Sequence, residues 1–298
     1  MKTTRHIVLT WVVILSIFSS FSILIPTYQA QAGPNKRSDL KLTLDAIDFP
    51  EYAPNGAALR SNYALVANDA LQIVSGMFEH EAAPESRPII IKLANTPRTD
   101  VVSDPEHIII YVALPESGLY GMDYTRFTYQ LCHELGHVWM GARRTNGLIE
   151  MLADAISLEA LDRMAVLWSV KYADFPAWAD FAPNYRTYRQ RVEEANIATL
   201  PSHMRNATAD SDWKTVTNYL RKESAGLDKS PYADGAYSLR TLGAMVLRSR
   251  DVDWPAFVNI TAATSPSPTR DANYREDLPV RLAALAPTAR RGLARAGW

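Results

Sequence analysis

Hydrophobic and polar residues follow one another along this chain with periods that predict a helix, two strands and two further helices. Apolar residues recur at helical spacing from Gly56 to about His80. Two short runs rich in β-branched residues, at 86–94 and 107–114, predict strands. Helical spacing returns from Tyr124 to about Arg143 and again from Gly147 to about Trp168, which predicts two consecutive helices.

The rest of the chain is predicted to be mostly helical. Helical segments are expected near 177–198, 211–223, 234–250 and 288–296, between connections that contain proline and serine. Residues 261–277 form the longest stretch of loop-like composition. Strands that come early and helices that come late indicate the α+β class, with a small sheet followed by a helical half.

The first 32 residues have the composition of a secretory signal peptide. Lys2 and Arg5 precede an apolar run over 7–25, and Ala30 and Ala32 have the small-residue spacing of a cleavage site. We therefore expect cleavage after Ala32 and a secreted or periplasmic protein. The alternative is an uncleaved membrane anchor, because an apolar run of about 19 residues nearly spans a bilayer.

The mature chain is predicted to hold a leader and one folded domain. Residues 33–55 are polar and rich in proline, and are expected to form a leader or linker. The domain is expected over 56–298, with an α/β part at about 56–145 and a helical part at about 146–298. A chain of 298 residues, 47% of them hydrophobic, can bury a full core.

The charge and the cysteine content exclude two classes of protein. The formal net charge is −1, so no overall basic character favours nucleic acid as a partner. Cys132 is the only cysteine, so the chain is not held by internal disulfides. Contact with a membrane is expected only if the N-terminal segment stays uncleaved.

One predicted helix carries a sequence typical of a catalytic metal site. His133 and His137 are four residues apart, so their imidazoles lie on one helical face, and Glu134 follows the first of them directly. Two neutral imidazoles suit Zn²⁺. A glutamate in this position can reach a water on the metal without binding the metal itself. The alternative is a pair of structural histidines on an amphipathic helix.

A catalytic zinc site needs a third protein ligand, and the next predicted helix offers one. Position 143 is arginine, which excludes the pattern with a third histidine six residues after the second. Glu150 and Asp154 lie in an apolar neighbourhood, where unpaired carboxylates would be costly. We predict Glu150 as the third ligand and Asp154 as the hydrogen-bond acceptor for the far nitrogen of a ligating histidine. The alternative is that both carboxylates face solvent.

The motif HELGH, followed by a helix with E-x-x-x-D, resembles the gluzincin (peptidase MA-like) branch of zinc metallopeptidases, which includes the thermolysin-like and aminopeptidase-like families. Residues 231–235 are similar to the P-Y-x-x-G segment that opens a downstream helix in the aminopeptidase-like members. The resemblance implies a zincin-like fold, Zn²⁺ as the cofactor and a peptide or protein substrate. It also implies that Tyr232 assists the transition state, with Tyr237 as the alternative.

Three departures limit what the resemblance implies. The interval from His137 to Glu150 is shorter than in these families, and the third ligand stands in Ile-Glu-Met instead of Asn-Glu-Gly. The G-x-M-E-N segment that grips a free amino terminus is missing. The resemblance therefore implies a metal site without implying exopeptidase specificity.

These features predict an exported zinc-dependent peptidase. In the implied mechanism, Glu134 accepts a proton from a zinc-activated water and Tyr232 donates a hydrogen bond to the oxyanion. The strand at 107–114 is expected to be the sheet edge along which an extended substrate lies. The alternative function is a non-hydrolytic or membrane-tethered envelope binding protein that retains a peptidase-like fold.

Overall fold

The computed structural model describes residues 43–49, 56–79, 81, 83, 87–115, 122–141, 145–229, 231–249, 251–258, 260 and 287–295. The predicted signal peptide at 1–32 and the predicted loop at 261–277 lie outside these residues. No helix in the described part of the chain is long and apolar enough to cross a membrane. The described residues all belong to one compact unit.

Four short strands form one mixed sheet. The strands are β1 (Leu44–Asp48), β2 (Ile89–Leu93), β3 (Arg98–Asp100) and β4 (Ile108–Val112). They are arranged in the order β1-β2-β4-β3, in which β1, β2 and β4 are parallel and β3 runs antiparallel to β4. The isoleucine-rich β2 and β4 occupy the two central positions, because β-branched side chains pack well on a pleated, buried surface.

The sheet corrects three expectations from the sequence. β1 falls inside residues 33–55, so the sheet begins within the segment predicted as a leader. β3 falls between the two predicted strands, where the sequence predicts no strand. β4 is paired on both sides, so the prediction that 107–114 is the substrate-binding edge is wrong, and β3 is the edge next to it. The two missed strands are short and only partly buried, and an isoleucine-rich neighbour supplies their hydrogen bonds.

The described elements that follow the sheet are all helical. The first two are α2 (Tyr124–Met140) and α3 (Gly147–Lys171), and α1 (Gly56–Met77) precedes β2. The others are α4 (Pro176–Ala179), α5 (Ala182–Ile197), α6 (Ser202–Ala209), α7 (Trp213–Lys229), α8 (Ala236–Arg248), a 3₁₀ turn at Trp254–Phe257 and α9 (Pro287–Arg295). A small early sheet followed by a helical half confirms the predicted α+β class.

Two contacts hold α2 in place along its buried face. The Gln130 side chain accepts a hydrogen bond from the Ala113 N–H at 2.7 Å and donates to the Ala113 carbonyl at 3.0 Å, which ties α2 to the end of β4. Further along the helix, the Trp139 indole stacks on Phe78, with ring centroids 5.7 Å apart. The two histidines of the HELGH motif lie between these contacts.

Helices α2 and α3 pack closely because a glycine stands where they meet. A Cβ at Gly136 would lie 2.9 Å from Ile156 Cδ1, closer than such atoms approach. Gly141 ends α2 with a φ of +76°, which favours glycine. The Asn146 side chain begins α3 by accepting a hydrogen bond from the Ile149 N–H at 3.0 Å. The histidine-bearing face of α2 therefore meets the first turns of α3.

Candidate metal centre

Three side chains from α2 and α3 converge on one point. The Nε2 atoms of His133 and His137 are 3.2 Å apart, because the two residues lie one turn apart on the same helical face. Glu150 Oε2 is 3.2 Å from His133 Nε2, and Glu150 Oε1 is 3.6 Å from His137 Nε2. One donor atom of each residue thus lies within 4.8 Å of the others. We call these three residues the HHE cluster.

The donors of the HHE cluster fit a zinc ion. Two imidazoles and one carboxylate form one of the sets found in catalytic zinc sites, which keep a fourth position for water or substrate. The side chains of His133, His137 and Glu150 are only 12%, 9% and 2% exposed. The HHE cluster can therefore hold a metal ion.

Without a metal, a proton balances the charge of the HHE cluster. Burial lowers the pKa of His133, but its hydrogen bonds to Asp154 and Glu150 outweigh burial and raise the pKa to about 10. Burial also opposes ionisation of Glu150, yet the hydrogen bond from His133 and the nearby positive charges hold the pKa of this carboxyl well below its usual range. Metal binding must release the His133 proton, because only the neutral imidazole is a ligand.

Asp154 lies behind His133. Its Oδ1 atom is 2.9 Å from His133 Nδ1, the ring nitrogen that is not directed at Glu150. The Tyr129 hydroxyl donates a second hydrogen bond to the same oxygen at 3.2 Å. This arrangement fixes the imidazole so that Nε2 points into the HHE cluster, which is the orientation a metal ligand requires.

We expect Asp154→Asn to weaken zinc binding by roughly 10–100-fold, the usual cost of losing a carboxylate that orients a ligating histidine. The amide keeps the size of the side chain but loses the charge beside His133 Nδ1. A competition titration with a chromophoric chelator measures the affinity. Asp162→Asn is the matched control, because Asp162 is also in α3 but pairs with Arg189 and Arg248. An unchanged affinity in Asp154→Asn would make this carboxylate purely structural.

Glu134 lies beside the HHE cluster and is 4% exposed. Thr99 Oγ1 is 2.8 Å from Glu134 Oε2 and 3.1 Å from the Glu134 carbonyl oxygen, so the Thr99 hydroxyl can donate to either. Thr99 belongs to the edge strand β3. Both residues line an open pocket of about 360 Å³ together with the HHE cluster. The Glu134 carboxylate therefore lies between the sheet edge and the candidate metal ligands.

Tyr232 and Tyr237 both line this pocket, and the structure distinguishes their hydroxyls. The Tyr232 hydroxyl donates to Glu150 Oε1 at 2.7 Å, and the Thr145 hydroxyl donates to the same oxygen at 2.6 Å. The Tyr237 ring lies 5.0 Å from Arg240 Cζ, and within the described part of the chain its hydroxyl makes no hydrogen bond to the HHE cluster. The fold brings Tyr232, and not Tyr237, into contact with a candidate ligand.

Sequence reasoning missed Arg240 of α8, whose side chain is 3% exposed. Its Nε lies 2.8 Å from Asp154 Oδ2, and its Nη2 lies 2.9 Å from Asp154 Oδ1 and 3.1 Å from Glu150 Oε2. The sequence did hold a clue to Arg240, because this arginine interrupts the largely apolar segment LRTLGAMV. An arginine on a buried helical face needs acidic partners. Thr99 and Thr145 were also missed, and their hydroxyls leave no comparable pattern.

No family model matches this chain, and no curated protein and no solved structure matches it either. Residues of three separated segments, the HELGH helix, the E-x-x-x-D helix and the P-Y-x-x-G segment, line one pocket.

Proposed function

We propose that the protein is an exported zinc-dependent peptidase of the gluzincin type, with a zincin-like fold. The observation that carries the proposal is the convergence of His133, His137 and Glu150 beside the buried Glu134. Two imidazoles and a carboxylate that can hold zinc, with a separate carboxylate next to them, are the groups needed for metal-assisted amide hydrolysis. The composition of residues 1–32 supports export.

Glu134, Thr99 and Asp154 have distinct tasks in this reaction. Zn²⁺, when bound, supplies a Lewis acid that polarises the scissile carbonyl and makes water nucleophilic at neutral pH. Glu134 accepts the proton of the attacking water and passes it to the leaving amine, while the Thr99 hydroxyl at 2.8 Å holds its carboxylate. Asp154 holds His133 in the orientation that directs Nε2 into the cluster.

An extended substrate is proposed to lie along β3. This strand is at the edge of the sheet, and its Thr99 contacts Glu134. A peptide that pairs with β3 would be held through its backbone whatever its side chains are. Such a peptide would pass directly over the general base and the HHE cluster, so a scissile bond could be presented to both.

Metal analysis and hydrolysis of unfolded casein test the proposal together. We expect about one zinc per chain, since the HHE cluster offers one three-ligand site. Hydrolysis should stop when a chelator is added and return when zinc is restored. A protein that does not bind zinc would overturn the proposal. A protein that binds zinc but cleaves neither casein nor a diverse peptide mixture would favour a non-hydrolytic binding protein.

Tyr232→Phe is expected to lower turnover by roughly 10²–10³-fold, the size of effect seen when one oxyanion donor is removed. The ring is kept, so folding should hardly change. Zinc should also stay, because the Thr145 hydroxyl still donates to Glu150 Oε1 at 2.6 Å. The hydroxyl has one proton, which it donates to Glu150 Oε1 in the structure and would redirect to the oxyanion in the reaction. That second hydrogen bond forms mainly in the transition state, so the loss should appear in kcat more than in KM.

Tyr237→Phe is the matched control for this substitution, because Tyr237 lines the same pocket without bonding Glu150. Its effect on turnover should be mild. A large loss in Tyr237→Phe combined with a small loss in Tyr232→Phe would assign the oxyanion to Tyr237. Small losses in both variants would exclude both tyrosines from the reaction.

A further inference from the structure

We propose that Arg240 is a permanent counter-charge of the metal centre, which stabilises Glu150 and Asp154 when no metal is bound and lowers the zinc affinity of the site. This inference rests on the proposed function, because it takes zinc as the metal of the HHE cluster. It concerns the stability and affinity of the site, however, and its test does not require hydrolysis.

The first support is the contact between one guanidinium and two buried carboxylates. Arg240 binds Asp154 through two hydrogen bonds, and its Nη2 lies 3.1 Å from Glu150 Oε2. The three side chains are between 2% and 3% exposed. Glu150 Oε2 is also the oxygen that lies 3.2 Å from His133 Nε2. The arginine therefore shares a candidate ligand atom with the metal position.

The second support is that the guanidinium also contacts the segment that carries the two tyrosines. Its Nη1 lies 3.5 Å from the Pro231 carbonyl oxygen, and its Cζ lies 5.9 Å and 5.0 Å from the ring centroids of Tyr232 and Tyr237. Contacts with aromatic faces favour a cation at this place. Arg240 is thus packed between the two carboxylates and the segment that carries the tyrosines. Its positive charge therefore remains in the site when a metal ion binds.

Because the Arg240 guanidinium stays charged, it has opposite effects on the metal-free and the zinc-bound site. Buried carboxylates without a counter-charge are strongly destabilising, so Arg240 stabilises the metal-free protein. An arginine does not give up its proton in a folded protein, so Zn²⁺ must bind next to a fixed positive charge that repels it.

Removal of Arg240 would also remove a positioning contact of Asp154, which by itself would weaken zinc binding. We expect this opposing effect to be the smaller one. Asp154 Oδ1 keeps the Tyr129 hydroxyl at 3.2 Å and His133 Nδ1 at 2.9 Å, so its place behind His133 is still defined. We therefore expect the repulsion between the guanidinium and the doubly charged ion to be the larger effect, so that removal of Arg240 increases the zinc affinity.

The experiment compares the purified protein with Arg240→Met, Arg240→Lys and the control Arg248→Met. Arg248 belongs to the same helix and also binds several carboxylates at a largely buried position, but those carboxylates, Asp162, Glu159 and Glu193, are not in the HHE cluster. Zinc affinity is measured by competition with a chromophoric chelator. Thermal unfolding is followed by circular dichroism in the metal-free and zinc-loaded forms.

We expect Arg240→Met to bind zinc about tenfold more tightly, or more, and to unfold at a lower temperature when metal-free. The gap between its metal-free and zinc-loaded unfolding temperatures should exceed that of the wild type. Arg240→Lys keeps the charge and should stay closer to the wild-type affinity. Arg248→Met should lose stability equally in both forms and keep its affinity.

An unchanged or weaker zinc affinity in Arg240→Met would overturn the inference and leave the proposed peptidase intact. If Arg240→Met folds only in the presence of zinc, that result supports the inference, because the metal then replaces the missing charge. The wild type gives an independent check, since chelator-treated wild-type protein must remain folded. A wild type that does not bind zinc would overturn the proposed function and this inference together.

Discussion

Glu134→Gln is expected to abolish detectable hydrolysis while zinc stays bound. The amide has the size of the carboxylate and can still accept a hydrogen bond from the Thr99 hydroxyl, which lies 2.8 Å from Glu134 Oε2. It cannot accept a proton from water, and the loss of a general base lowers turnover by roughly 10²–10⁴-fold. Turnover of casein and the zinc content of the same sample are the two measurements.

Glu194→Gln in α5 is the control for the Glu134 substitution, because the Glu194 side chain is exposed. This variant should keep both activity and zinc. Equal turnover in Glu134→Gln and the wild type would contradict the assignment of Glu134 as the base. A variant that loses zinc together with activity would show instead that Glu134 contributes to metal binding.

His137→Ala is expected to leave the protein without stoichiometric zinc. The loss removes a donor whose Nε2 lies 3.2 Å from His133 Nε2, and two remaining ligands do not make a tight zinc site. The effect should exceed the roughly 10–100-fold loss expected for Asp154→Asn, because a ligand and not its hydrogen-bond partner is removed. Metal analysis after gel filtration measures the zinc, and far-UV circular dichroism shows whether the fold is retained.

His203→Ala in α6 is the matched control, because the His203 side chain is exposed and its ring neighbour is Tyr219. Zinc content and hydrolysis should both be unchanged in this variant. Full zinc occupancy in a folded His137→Ala protein would show that the HHE cluster is not the metal site.

The long helices could be predicted because their signal is local. Apolar positions recur at helical spacing in α1 and α2, whereas α3 is apolar on nearly all sides and stands out by its length and its lack of glycine and proline after Gly147. The strands β1 and β3 and the helix α6 are short, with no more than eight residues each. Such segments carry too few positions to show a period, and their structure depends on the partners against which they pack.

The same division applies to the candidate site. His133 with His137, and Glu150 with Asp154, are pairs at four-residue spacing on helices, and a helix alone places each pair on one face. Spacing does not predict which of Tyr232 and Tyr237 contacts Glu150, since one lies just before α8, the other lies in its first turn, and both reach the pocket. Only the fold brings the Tyr232 hydroxyl to Glu150, which is more than 80 residues away along the chain.

The sequence by itself determined the features that depend on spacing within one helix. These are the histidine pair and the general-base candidate on α2, and the two carboxylates on α3. Only the tertiary structure decided that these two faces meet, that β3 is the sheet edge beside Glu134, and that Arg240 reaches both Glu150 and Asp154. The physical reason is that helical periodicity is a property of neighbouring residues, whereas ion pairs and strand partners depend on how distant segments pack.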